Sequence, residues 1–468
     1  MILFYFFIFI MPLSRHRLWG AMAGDLTGIK YIGLVCLPYA LFHLGQRRGA
    51  PSFFSSWQAR FFLALYLLAT LSYVITHRTI LSYSHFLSYT SFLVFFFITL
   101  VLVDSRSRLR WVVLSGIGSI ALASAYVVRD WQVYHNMYAD YRPGWVVGDP
   151  NYFTVDALLF LPVALLLLQQ RQPRWQRWFC FGCLGMTVAA VLFSASRGGF
   201  LGLVASCLWF LFKSRQRVRN LLLVCATLAA LSLPMKISPV QRLLHPTHSD
   251  VDAQQTRLAL WSGGLKMIEG HPFFGVGLDG YKSEVAKYVD PAKVPVGETV
   301  NRIAHNSYME IAAEMGLPAL LIFVGILVSS LRSLERVRRI TEKSGDEFLR
   351  RVALGLQAGI LGAAVALFFV SGEYQKMFWF AIFISACLPP LTRLKSANAA
   401  AAAVVSARSG QVCFAAENQQ FSAEKVLAGG GRPSPADLWR QIAKGMACQL
   451  FSRPLRRRDF FGHCGGVC

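Results

Sequence analysis

"AHNSYMEIAAEMGLPALLIF", residues Ala304 to Phe323, passes without a break from a polar cluster into an apolar helix. Everything after Pro318 reads as the core of a membrane span, so the His, Asn, Ser and two Glu before it sit at a membrane mouth. The rest of the chain agrees. Of its 468 residues 55% are hydrophobic and 13% aromatic, with a mean hydropathy of +0.45, above the roughly 45–50% apolar share of soluble domains. Apolar runs near the roughly 20 residues needed to cross a bilayer lie at about 26–44, 60–76, 86–103, 111–128, 152–168, 179–195, 199–212, 220–235, 314–331, 352–370 and 377–392. These eleven candidate spans, helical by preference, predict an all-α, polytopic integral membrane protein with about 11–12 transmembrane helices. The opening "MILFYFFIFIMPL" lacks the basic start and small-residue cleavage site of a signal peptide and reads as a shortened first helix, with Met11 as an alternative start.

Orientation follows from Lys and Arg, which stay on the cytoplasmic side near span ends. "GQRRGAPSFFSSWQAR", "DSRSRLR", "RQPRWQR", "KSRQRVR" and residues 332–351 fall on one side and hold twenty Lys or Arg. The connections opposite hold five, Arg78, Arg129, Arg142, Arg197 and Lys376. Arg15 and Arg17 break the pattern at the first helix. Residues 236–304 then form one large external loop, with eight basic and seven acidic side chains. The net charge of +23 reflects this anchoring, and no basic patch interleaved with aromatics points to nucleic acid. None of the ten cysteines lies in the loop, which argues against disulfides or a cysteine metal site there. "CFGC" at 180–183 has redox spacing but starts an apolar helix, where packing is the better reading. The expected organisation is a membrane domain over 1–395 and a cytoplasmic, mostly disordered tail over 396–468, where the composition shifts to "SANAAAAAVVSARSGQ" and "AGGGRPSP".

Three stretches carry candidate chemistry. In the opening one, Ser307 and Glu310 have the spacing of a capping box, so Glu310 is either structural or a ligand-facing group, and His305 and Asn306 precede the cap. Pro318 is expected to kink the helix or start a new segment after a short external helix, 307–315. In "FSASRGGFLGL", 193–203, Arg197 stands between two apolar runs, Gly198 and Gly199 allow a tight turn, and the next helix begins with free amides and a positive dipole end. Arg plus a helix N-terminus can cradle phosphate; an Arg reaching lipid headgroups is the alternative. In "QTRLALWSGGLKMIEGHPFFGVGLDGY", 255–281, Leu258, Trp261, Leu265 and Ile268 recur at helical spacing, predicting an amphipathic helix along the membrane surface with Arg257 at its start, followed by a turn system containing His271. Two weaker signals remain. In "GDPNYF", Asn151 and Asp149 either contact ligand or, for Asp149, cap the helix; the Asp-x-Asp of "SDVD" at 249–252 is too common to assign a metal.

Taken in chain order, "SASRGGFLGL", then "RLALWSGGLKMIEGHPFFGVGLDGY", then "AHNSYMEIAAEMGLPALLIF", these stretches resemble the membrane core of the O-antigen ligase and polymerase family, strongly over about 145–331. The resemblance implies an inner-membrane fold with a large periplasmic loop (236–304). It also implies an undecaprenyl diphosphate-linked glycan donor, an acceptor hydroxyl on a lipid, glycan or protein, no cofactor and, in ligases, no metal. The family's two functional Arg and one His fall on Arg197, Arg257 and His305, as catalytic residues, and Arg197, Arg257, Asn306, Glu310 and Asn151 are the expected substrate-binding set. The shortened first helix and long tail depart from the pattern. The physics agrees: planar, always-charged guanidinium groups can stabilise a leaving diphosphate in place of a divalent cation, and a histidine can activate a hydroxyl. A polymerase of the same family is the near alternative. A transporter of an anionic solute is the distant one, against which stands the clustering of motifs on one external face.

Overall fold

The computed structural model describes residues 1–12, 28–46, 53–76, 80–137, 141–144, 149–213, 248–290 and 301–392. Among them the secondary structure is helical, without a strand. In chain order the helices are α1 (Ile2–Phe9), α2 (Gly28–Gln46), α3 (Trp57–Ile75), α4 (Ile80–Leu102), α5 (Arg106–Tyr134), α6 (Pro150–Leu168), α7 (Arg174–Phe193), α8 (Arg197–Lys213), α9 (His248–Gly270), α10 (Gly280–Glu284), α11 (Ser307–Ser344), α12 (Glu347–Ala366) and α13 (Lys376–Thr392). Seven of them, α3 to α7, α11 and α12, are long and apolar enough to cross a membrane. The chain is thus an all-α, polytopic membrane protein. The apolar runs find their helices, except the run at 220–235, which lies outside the described residues together with the tail from 396. Helices α8 and α13 are 17 residues each, about 26 Å at 1.5 Å per residue, short of the roughly 30 Å hydrocarbon core.

Helix starts are fixed by side-chain caps: Ser56 for α3, Ser105 for α5, Asp149 for α6 and Asp346 for α12 each accept an amide of the first turn. Lipid gives no hydrophobic drive for helices to associate, so small residues that let backbones approach do this work. Helix α12 shows it: a Cβ on Gly355 would lie 2.7 Å from Val163 Cα in α6, and one on Gly202 of α8 would lie 2.6 Å from a Leu158 methyl. An aromatic cluster fills the space between α3, α4 and α13, where Phe96 stacks on Phe383 at 4.3 Å and Phe62 meets Trp379 edge-on at 4.9 Å.

Helix α11 breaks at Gly316, whose φ of +85° is left-handed; a side chain there would run into the Phe273 carbonyl. The short helix 307–315 expected from Pro318 is present, but the hinge is the glycine, and Pro318 opens the next segment. A break exposes carbonyls that must find donors. The turn after α9 supplies them: Val276 N–H donates to Ala313 O at 2.8 Å and Gly277 N–H to Glu314 O at 3.1 Å, while Leu317 N–H donates to Pro272 O at 2.8 Å. Ser72 of α3 adds a second bond to Glu314 O at 2.8 Å. The Pro and Gly rich stretch 271–281 is therefore a plug fitted into the kink, and Gly275, at φ +68° against the Glu314 backbone, admits no side chain.

The helix ends sort the charges. At one end Arg106 pairs with Asp346 at 3.0 Å, Lys213 with Glu335 at 3.3 Å and Arg338 with Glu335 at 3.0 Å. These are members of the basic segments assigned to one side from sequence. The start of α8, α9, the 303–306 segment and the start of α6 gather at the other end, where the candidate site lies.

Candidate functional site

Helix α8 begins where it does because Ala195 turns the chain, at φ +46°, and Ser196 caps it, its Oγ accepting from Gly199 N–H at 3.1 Å. The same hydroxyl donates to Asn151 Oδ1 at 2.6 Å and accepts from Thr154 Oγ1 at 3.3 Å, tying the first turns of α6 and α8 together. The tight turn expected at Gly198 and Gly199 belongs to Ala195 instead. The glycines serve packing: a Cβ on Gly199 would collide with the Thr154 side chain, and one on Gly198 would lie 2.8 Å from Phe369 Cβ.

This construction places Arg197 and Asn151 in one cavity of about 380 Å³ with Arg257 of α9. Three residues singled out from distant stretches are thus brought together. A third guanidinium, Arg142, also lines it, while Trp261, Phe368 and Phe369 form its aromatic wall. Among the described residues lining this cavity there is no carboxylate. Arg142 Nε donates to Ser194 O at 3.3 Å, which anchors it beside the turn into α8. Sequence reasoning counted Arg142 only as a basic residue of an outer connection, although its place seven residues before Asp149 offered a signal. Three positive groups next to a helix N-terminus make an anion site.

His305 does not line this cavity but stands within electrostatic reach of Arg257. Its φ of +50° is left-handed, and the residue before it is clamped from two sides: Trp261 Nε1 donates to Ala304 O at 2.8 Å, and Ala304 N–H donates to Glu310 Oε1 at 2.7 Å. The ring's Nδ1 is buried without a hydrogen-bond partner. Burial, then the charge of Arg257, lowers its pKa to about 4; Asp149 acts the other way and Arg302 adds to the lowering. The imidazole is therefore neutral near pH 7 and able to accept a proton.

The remaining candidates divide. Asn306, not Ser307, is the cap of α11: its Oδ1 accepts from Tyr308 N–H at 3.0 Å and Met309 N–H at 3.1 Å. The capping box expected from Ser307 and Glu310 is replaced because Ser307 is needed elsewhere, donating to Val370 O and accepting from Gly372 N–H, each at 2.7 Å. That bond pair ties α11 to the 367–375 connection. Glu310 reaches back past the cap to Ala304 and lines a second cavity, with Glu314, Glu373, Asp156 and Asp279. Asp149 caps α6, accepting from Asn151 N–H at 2.7 Å. His271 is a turn residue whose carbonyl accepts from Gly275 N–H at 3.1 Å. Cys180 and Cys183 are buried free thiols, packing residues of α7. Helix α9 buries Leu260 and Met267 against the protein and leaves Leu258 and Leu265, of the apolar face read from sequence, exposed. Asp252 is exposed, and the side chain of Asp250 lies outside the described residues.

Residues 181–324 match the family model described as O-antigen ligase. The match contains Arg197, Arg257, His305, Asn306 and Glu310 and supports the resemblance read from the three stretches; Arg142 and Asn151 lie before it. No curated protein matches the chain.

Proposed function

From the O-antigen ligase match at residues 181–324, we propose that this membrane protein transfers a glycan from undecaprenyl diphosphate to an acceptor hydroxyl, in surface polysaccharide or glycoconjugate synthesis. The observation that carries this is the cavity that brings Arg142, Arg197 and Arg257 together, with His305 within electrostatic reach of Arg257. The guanidinium groups hold the diphosphate of the donor, and the start of α8 adds its amides. His305 takes the proton of the acceptor hydroxyl as its oxygen bonds to the anomeric carbon; the bond from that carbon to the phosphate oxygen breaks, and the lipid diphosphate leaves. One displacement inverts the anomeric configuration.

The two halves of the site are coupled electrostatically. With no anion bound, Arg257 adds to burial in holding His305 at a low pKa. A diphosphate between the arginines offsets that charge, so donor binding raises the basicity of His305 when a base is needed. Always-charged arginines supply what a divalent cation supplies in other transferases, and the reaction is read as metal-independent. On this reading the site faces the periplasm of a bacterial inner membrane and the 396–468 tail is cytoplasmic, an orientation that the twenty-to-five charge asymmetry supports.

The test is reconstitution of the full chain in proteoliposomes with a labelled undecaprenyl diphosphate-linked glycan. Transfer of label to an acceptor, lost in Arg257→Lys, is the expected result. Uptake of a labelled anion without transfer would replace the reading with transport.

A further inference from the structure

We infer that the cavity on the far side of the His305 segment is a sugar-binding subsite that presents the acceptor hydroxyl, an inference that rests on the donor reading above. The cavity measures about 310 Å³ and is lined by Glu310, Glu314, Glu373, Asp156 and Asp279, by Lys282, Lys376 and His85, and by Tyr152 and Tyr374. Its volume is at the lower end of small-ligand pockets, roughly 300–1,000 Å³.

Two of its groups point to a ligand. Glu373 is 2% exposed and Ser371 7% exposed, yet Glu373 Oε2 and Ser371 Oγ have no hydrogen-bond partner in the protein. Both side chains face the Glu310 carboxyl, but leaving a buried polar atom such as Glu373 Oε2 unbonded is costly. The Glu373 backbone is already fixed, its carbonyl accepting from Trp379 Nε1 at 2.7 Å. Burial, and then the charge of Glu310 beside it, push the Glu373 carboxyl well above the usual carboxylate range.

The lining selects the chemistry. Among the described residues no three His, Cys, Asp or Glu side chains converge to hold a metal ion, and an anion would be repelled by the ionised carboxylates. A sugar suits this lining, because each hydroxyl donates and accepts, and Tyr152 and Tyr374 offer rings against which its apolar face can rest. Position gives the subsite its role. Ile303 lines this cavity, Glu310 of this cavity holds the Ala304 amide, and Trp261 of the arginine cavity holds the Ala304 carbonyl. His305, next in the chain, therefore lies between a place for diphosphate and a place for hydroxyls.

The experiment measures two probes on the full chain in nanodiscs: methyl β-glucopyranoside by saturation-transfer NMR, and undecaprenyl diphosphate by direct binding. Ser371→Ala and Glu373→Gln should each weaken the sugar at least about fivefold and leave the diphosphate lipid within about twofold; Arg197→Lys should do the reverse. Ser371→Ala is a small truncation beside the Glu310 carboxyl, and an unchanged unfolding midpoint confirms that it folds as the parent does. Failure of the parent to bind the sugar, or parental sugar affinity in both cavity variants, overturns the inference. Sugar binding that depends on Ser371 and Glu373 in a protein that does not bind undecaprenyl diphosphate would overturn the donor reading and leave the cavity a sugar site.

Discussion

His305 is strained and depressed in pKa together, and acid stability should register it. Its pKa falls from an ordinary 6.5 to about 4 in the folded protein, through burial and Arg257. A histidine so lowered binds its proton more readily when unfolded, so stability is full above pH 6.5 and is lost as pH falls from there towards 4. A shift of about 2.5 pH units at about 1.4 kcal/mol per unit sets the total at roughly 3 kcal/mol, of which about 2 kcal/mol is lost by pH 5. Glu373 works in the opposite sense: its raised pKa makes the folded form take up a proton more readily as pH falls, adding stability below the folded value. The two are separated by His305→Asn, since Asn cannot titrate and tolerates the left-handed backbone at φ +50°. Unfolding by SDS at pH 7.5, 6, 5 and 4.5 should show the parent losing about 2 kcal/mol more than the variant by pH 5. Parallel curves for the two proteins would refute the burial and Arg257 argument.

Gly199→Ala should cost roughly 1–3 kcal/mol by overpacking against Thr154, read as a lowered unfolding midpoint with a loss of transfer. Transfer in membranes should survive EDTA, and Asp250→Ala should be mild; loss under chelation with recovery on added magnesium or manganese would restore a metal to the mechanism. Reporter fusions near residues 270 and 420 should be active in opposite compartments, following the charge asymmetry.

Span positions were legible because lipid imposes a length and a composition, and the described helices fall on the runs read from sequence. The meeting of Arg197, Arg257 and Asn151 was legible only through the order of three stretches, since nothing in local spacing brings α6, α8 and α9 together. Arg142 was hidden because its role comes from a carbonyl 52 positions away, that of Ser194. The cap of α11 was misjudged between adjacent residues: Ser307 and Asn306 both suit it, and the 367–375 connection claims the serine. The plug of 271–281 in the kink at Gly316 was visible only as two separate glycine and proline signals. Glu310 illustrates the limit of motif spacing, because a residue with the spacing of a cap partner lines a cavity whose other carboxyl groups come from α6, the turn after α9 and the 367–375 connection.

The account's central claim is that the arginine cavity binds the donor diphosphate while His305 serves the acceptor, and donor affinity measured beside single-turnover transfer tests it most directly. Arg197→Lys and Arg142→Lys keep the charge but lose the planar fork; both should bind undecaprenyl diphosphate at least about tenfold more weakly than the parent. His305→Asn should bind it as the parent does and transfer glycan roughly 10² to 10⁴ times more slowly, the usual cost of losing a general base. Parental donor affinity in both lysine variants, or a parental transfer rate in His305→Asn, would contradict the account.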